Sequence, residues 1–143
     1  MIDTLCRLLD AGVTQFHVVK ECEAMLQDHG YMELDMGERW ELTAGGRYYV
    51  KPYSSMMVAF AAGEMPEYGR LNIGLAHTDF PMLKIKTQPY MNRSGYQTLN
   101  VEPYGGLIKE TWFDRPLGIA GKVMAQTTDP FRPKTYLYDS ERA

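Results

Sequence analysis

Residues 74–81 read Gly74-Leu75-Ala76-His77-Thr78-Asp79-Phe80-Pro81. An apolar run, Leu71-Asn72-Ile73-Gly74-Leu75-Ala76, stops at His77, and a carboxylate follows two residues later. Residues 70–76 predict a strand that is apolar on both sides, as in the middle of a sheet covered on two faces. In an α/β sheet, ligands bind beyond the carboxyl ends of the strands, and His77 stands at such an end. Residues 77 and 79 of a strand point to one side, which would aim a histidine and an aspartate at one site. A neutral imidazole is a good ligand for zinc or cobalt, and a nearby carboxylate can orient its second nitrogen. The same spacing suits a histidine bonded to a loop carbonyl and an aspartate capping the next turn. One His-x-Asp is also short of the three or four ligands that a zinc site needs.

Working outward, the N-terminal side reads as two helices. Ile2, Leu5, Leu8 and Leu9 share a helical face and Gly12 ends the run. Thr14 suits the N-cap of a second helix, Phe16, Val19 and Leu26 continue at helical spacing, and Gly30 suits its C-terminal cap. The period then changes. Residues 40–42 and 47–50 flank Thr43-Ala44-Gly45-Gly46 and predict a hairpin. Residues 56–60 predict a second buried central strand, and 82–86 alternate as a half-exposed one. Phe16, Val19, Val58, Phe60, Ile73 and Leu75 are the expected core.

Beyond residue 87 the chain reads as all-β. Residues 87–95 hold Pro89, Asn92, Ser94 and Gly95 and predict a loop. Strand-like pieces follow at 96–101, 107–113, 118–126 and 134–138. The expected fold class is α/β: two helices and then central strands over 1–87, followed by an antiparallel β portion over 88–143. The final residues follow a strand pattern with no closing element, so the end at Ala143 reads as a cut, one that would leave unpaired strand edges and apolar faces near Val58 and Ile73.

Bulk composition excludes several functions. The chain has 143 residues, enough for one domain burying roughly two-thirds of its unfolded surface. A formal net charge of −3 argues against a nucleic-acid partner or an anionic membrane surface. No apolar run approaches the about 18 residues of a membrane span, and the charges within MIDTLCRLLD do not fit a signal peptide. Cys6 and Cys22 fall in helical segments and read as free thiols of a reducing cytoplasm.

Other candidates carry less. His17 and His29 are expected on helix surfaces, solvated and with no partner at ligand spacing, and Glu21 and Glu23 as helix-face charges. The ten methionines read as core filler. Tyr104-Gly105-Gly106 has too few glycines for a phosphate cradle. Asp114-Arg115 beside Trp112 and Phe113 reads as an ion pair fixing a turn, or as part of an interface.

In order along the chain, these pieces resemble the M18 family of zinc aminopeptidases, the aspartyl aminopeptidase family. The resemblance rests on Gln15-Phe16-His17, Glu33-Leu34-Asp35, Trp40-Glu41-Leu42 and Gly45-Gly46-Arg47-Tyr48-Tyr49-Val50. It continues through residues 74–81, Val101-Glu102-Pro103-Tyr104-Gly105-Gly106, and the run from Thr111-Trp112-Phe113-Asp114-Arg115 to Lys122-Val123. Three positions depart from the family pattern. Phe80 stands where serine is usual, Val13-Thr14-Gln15 where a Ser-Pro often precedes the phenylalanine, and Pro116 where many members are acidic. Phe80, next to the site, bears on substrate preference.

The resemblance implies an enzyme that removes N-terminal residues, acidic ones by the family's name, from peptides with metal-activated water. It implies two zinc ions, with His77 as a ligand and Asp79 orienting that site. The other ligands of such enzymes are a bridging aspartate, a Glu-Glu pair whose first member is the general base, and a further aspartate and histidine. None matches a residue after Thr111 here. The chain itself is therefore expected to be inactive, and a peptide substrate and a cytoplasmic homo-oligomer to belong to the full-length enzyme. Two other readings are a non-catalytic assembly module that self-associates through its β portion, and a different dinuclear peptidase or deacylase using the same His-x-Asp. The Trp-Phe-Asp-Arg string argues against the last.

Overall fold

Helix ends are set by the residues the sequence marks. The computed structural model of the chain describes residues 2–64 and 72–140. Helix α1 spans Ile2–Ala11 and α2 spans Gln15–Asp28. Thr14 is extended and its Oγ1 accepts the His17 backbone N–H at 3.4 Å, filling one of the free donors of the first turn. At the far end Gly30 has φ +78°. Its N–H bonds to the Gln27 carbonyl, and the Tyr31 N–H to the Leu26 carbonyl, both at 2.9 Å. That paired closure needs a left-handed residue, which glycine adopts without penalty.

The first sheet joins β1 (Met32–Glu33), β2 (Arg47–Tyr53) and β3 (Met56–Ala61) in the order β1-β2-β3. β1 is parallel to β2, and β3 antiparallel. β2 is therefore central, and Tyr48, Tyr49 and Val50 are buried there together with Val19 of α2. The Tyr49 hydroxyl accepts from Gln27 Nε2 at 2.8 Å and donates to Glu23 Oε1 at 3.2 Å. Lys51 pairs with Glu23 and lies 3.1 Å from Glu33. One buried phenol and one ammonium thus tie α2 to β2 and β1. On the other side the Tyr48 hydroxyl accepts the Thr43 N–H at 2.9 Å, and Trp40, Phe60 and Tyr48 pack ring on ring.

Several expectations are corrected. The hairpin does not pair 40–42 with 47–50. β2 turns at Ser54-Ser55 and pairs with β3, while Trp40 is held by its indole N–H on the Asp35 carbonyl at 2.7 Å. β3 is an edge strand with Val58 exposed, not a central one. Of the strand expected over 70–76, Arg70 and Leu71 lie outside the described residues. Residues 72–76 are not in a strand, because no described strand pairs with them, and Ile73 and Leu75 are exposed. Of the six expected core residues Val19 is buried, with the β2 tyrosines and Val50, while Phe16 and Phe60 are partly buried and Val58, Ile73 and Leu75 are exposed. Glu23 is a helix-face carboxylate that pairs with Lys51. His29 is exposed as expected, with its Nδ1 2.7 Å from the Met25 carbonyl, whereas His17 is partly buried, with its Nδ1 2.7 Å from Thr14 Oγ1.

The remainder is antiparallel β as expected, with altered bounds. β4 (Met82–Arg93) pairs with β5 (Tyr96–Tyr104), and β6 (Ala120–Ala125) with β7 (Lys134–Asp139). The loop expected over 87–95 is mostly strand. A register shift between Ile85 and Tyr90 absorbs Pro89, which has no N–H to give a ladder, and the turn is confined to Ser94 and Gly95, both at positive φ. The strand expected over 107–113 is instead a 3₁₀ turn at Lys109–Trp112. Arg115 donates to the Thr111 carbonyl at 3.4 Å rather than pairing with Asp114. Both cysteines are free thiols. No helix among the described residues is long and apolar enough to cross a membrane.

Candidate metal centre

Between β3 and the segment 72–79 lies an open cleft of about 790 Å³. Gln15 of α2, Ser55 of the β2–β3 turn, Met56 of β3 and Tyr104 of β5 complete its wall with His77 and Asp79. Thr78 anchors the segment by donating its hydroxyl to the Ser55 carbonyl at 2.9 Å. That bond holds residues 77–79 over the end of the hairpin without a strand ladder.

The structure brings His77 and Asp79 together as the sequence predicts. His77 Nδ1 lies 2.6 Å from the Asp79 carbonyl oxygen and 3.2 Å from Asp79 Oδ1. Both oxygens only accept, so the neutral ring carries its proton on Nδ1 and its lone pair on Nε2. The imidazole is largely exposed, at 82%, and Asp79 is half-buried at 39%. One residue supplies both the loop carbonyl and the carboxylate.

Tyr104 belongs to the same group, and sequence reading missed it. Its hydroxyl donates to Asp79 Oδ2. That bond, first, holds the Asp79 carboxyl below the usual carboxylate range. Partial desolvation opposes it, while the residue's own N–H and His77 add to it. The same carboxylate keeps the Tyr104 phenol above its ordinary value. The signal that could have found Tyr104 is the β4–β5 register, in which it faces Met82, the first residue after Pro81.

The chain as a whole has relatives among known proteins. The sequence model of the Aminopeptidase I zinc metalloprotease (M18) family matches residues 8–139. The chain belongs to the M18 aminopeptidase family. It is 45% identical over 117 residues to the "Probable M18 family aminopeptidase 2" of Stutzerimonas stutzeri (strain A1501), covering 80% of this chain and 27% of that protein. Among solved structures it matches Ape4 in complex with Nbr1 with a TM-score of 0.84 and 31% identity, over 99% of this chain and 27% of the other. It matches the S. cerevisiae mApe1 dodecamer with a TM-score of 0.75 and 25% identity, over 94% of this chain and 32% of the other. The M18 chain described here thus spans less than a third of the length of these relatives.

The family is one of zinc metalloproteases, and the donor chemistry at His77 fits zinc. A borderline-soft ion takes a neutral imidazole nitrogen, and the ring's other nitrogen is bound to a carboxylate and a carbonyl, the usual partners of a zinc-ligating histidine. A complete donor set is not assembled among the described residues, where no three His, Cys, Asp or Glu side chains cluster. Asp79 lies against the Nδ1 side of the His77 ring.

Proposed function

We propose that this chain carries the first metal ligand of an M18 aminopeptidase that removes N-terminal residues from peptides. The observation behind it is His77 with Nδ1 committed to Asp79 and Nε2 free at a cleft. When bound, zinc would supply a polarised carbonyl and a strongly acidified water, with its pKa brought down towards about 7. His77 would give Nε2 to the metal, and Asp79 would hold the ring and raise its basicity. The described residues offer a single imidazole donor and no general base beside it, so the isolated chain does not hydrolyse peptides. Its place is the cytoplasm, where free Cys6 and Cys22 persist.

We also propose homo-oligomeric association through the β portion. Tyr90, Tyr96, Phe113 and Phe131 are strongly exposed there, and the mApe1 relative is a dodecamer.

The test is peptidase activity. With zinc or cobalt added, the isolated chain should hydrolyse amino-acid p-nitroanilides at background. Exchanged for the matching segment of the Stutzerimonas stutzeri relative, it should give an active enzyme. His77→Ala in that chimera should cost more than the roughly 10–100-fold typical of losing an outer-shell partner. An active chimera that keeps near-normal turnover after His77→Ala would refute the ligand assignment.

A further inference from the structure

We propose that Tyr104 is a positioning residue for His77: its phenol pins Oδ2 of Asp79, so that Oδ1 stays against the imidazole Nδ1. The proposal rests on reading His77 as a metal ligand, and it adds a residue from the β portion to that site. A carboxylate on an exposed loop has a broad, two-fold χ2 well and rotates readily. A contact at one oxygen leaves the other free to turn to water. Asp79 is held at both.

The reach of Tyr104 is built into the fold. Met82↔Tyr104 is the last pair of the β4–β5 ladder on the side facing Pro81. The turn that follows packs on Pro81: a Cβ built on Gly105 would lie 3.5 Å from Pro81 Cγ. The ladder starts one residue after the His-Thr-Asp-Phe-Pro run, so the hydroxyl arrives at Asp79 from a strand rather than from a loop. A hydroxyl-to-carboxylate bond is among the stronger neutral–charged contacts. Phenylalanine at 104 would fill the same space and leave Asp79 Oδ2 to solvent. Orientation of the histidine therefore depends on Tyr104 at the end of the β4–β5 hairpin, 25 residues beyond Asp79.

The experiment reads the His77 ring in the metal-free 143-residue chain. Long-range ¹H–¹⁵N correlation, at a fixed pH where the imidazole is neutral, gives the ratio of Nδ1–H to Nε2–H tautomers. The wild-type ring should be mainly Nδ1–H. Tyr104→Phe should lower the ratio about tenfold, the weight of one charge-assisted hydrogen bond, while the β4–β5 amides keep their shifts. Asp79→Asn should lower it similarly, and Tyr104→Phe should do nothing further in the Asp79→Asn background, because the phenol acts only through that carboxylate. An unchanged ratio in Tyr104→Phe, or an equal further drop in the Asp79→Asn background, would overturn the proposal. No metal is present, so this failure is separable from a failure of His77 to bind zinc.

Discussion

His77 Nδ1 and Asp79 Oδ1 lie 3.2 Å apart on a segment that belongs to no strand. The pairing is local, across one intervening residue, and the Thr78 hydroxyl on the Ser55 carbonyl fixes where it sits. Site geometry here is thus set by three side-chain bonds, from Thr78, Asp79 and Tyr104, rather than by sheet register alone.

The Tyr49 hydroxyl is the central polar contact of the core. Tyr49→Phe keeps the ring and removes the bridge between Gln27 and Glu23. The expected loss is about 1–3 kcal/mol, because it also leaves a partly buried amide short of an acceptor. Urea unfolding of both proteins measures it, and an unchanged midpoint would show that the bridge contributes nothing.

Gly30 closes α2 at φ +78°, and an added Cβ would meet nothing within 4 Å. Gly30→Ala therefore tests backbone conformation without a steric clash. It should destabilise the chain by about 1–2 kcal/mol, read as a lower thermal midpoint. No change would mean that the helix end frays without cost.

Lys51 contributes a pH dependence with a definite sign. Desolvation is the largest single influence and lowers its pKa, but hydrogen bonds and charges from Glu23 and Glu33 together outweigh it, so the folded value lies above the ordinary one. A cation with a raised folded pKa stabilises fully below its unfolded pKa, about 10.4, and the contribution is lost as pH rises through the folded value. Stability should thus be flat in this respect at neutral pH and fall in the alkaline range, and Lys51→Met should show a shallower alkaline fall. Equal slopes above pH about 10 would remove Lys51 as the cause.

Exposed Val58, Ile73, Leu75 and Phe113, and an unpaired β3 edge among the described residues, favour association. Sedimentation equilibrium at micromolar concentration should show a dimer or larger species. A monomer with a cooperative thermal transition would contradict association through these surfaces.

Local signals were legible in the sequence and pairing was not. Thr14 and Gly30 mark α2 correctly because capping chemistry acts within one turn. Gly45-Gly46 suggested the wrong hairpin, because Tyr53-Ser54-Ser55-Met56 carries a weaker turn signal yet links the strands that pair. Pro89 suggested a loop, whereas in a two-stranded ladder a bulge accommodates it. The apolar run before His77 marks a segment able to be buried, but a strand also needs a neighbour. His77 and Asp79 were legible because their relation spans two residues. Tyr104 was not, since its place depends on the register of two strands.

Zinc titration of the 143-residue chain, followed on the ring ¹⁵N signals of its three histidines, tests the ligand assignment most directly. Zinc should shift Nε2 of His77 and leave its Nδ1 as a protonated nitrogen, and His77→Ala should abolish that response while His17 and His29 are unaffected. Zinc shifting Nδ1 of His77, or binding equally well after His77→Ala, would contradict it.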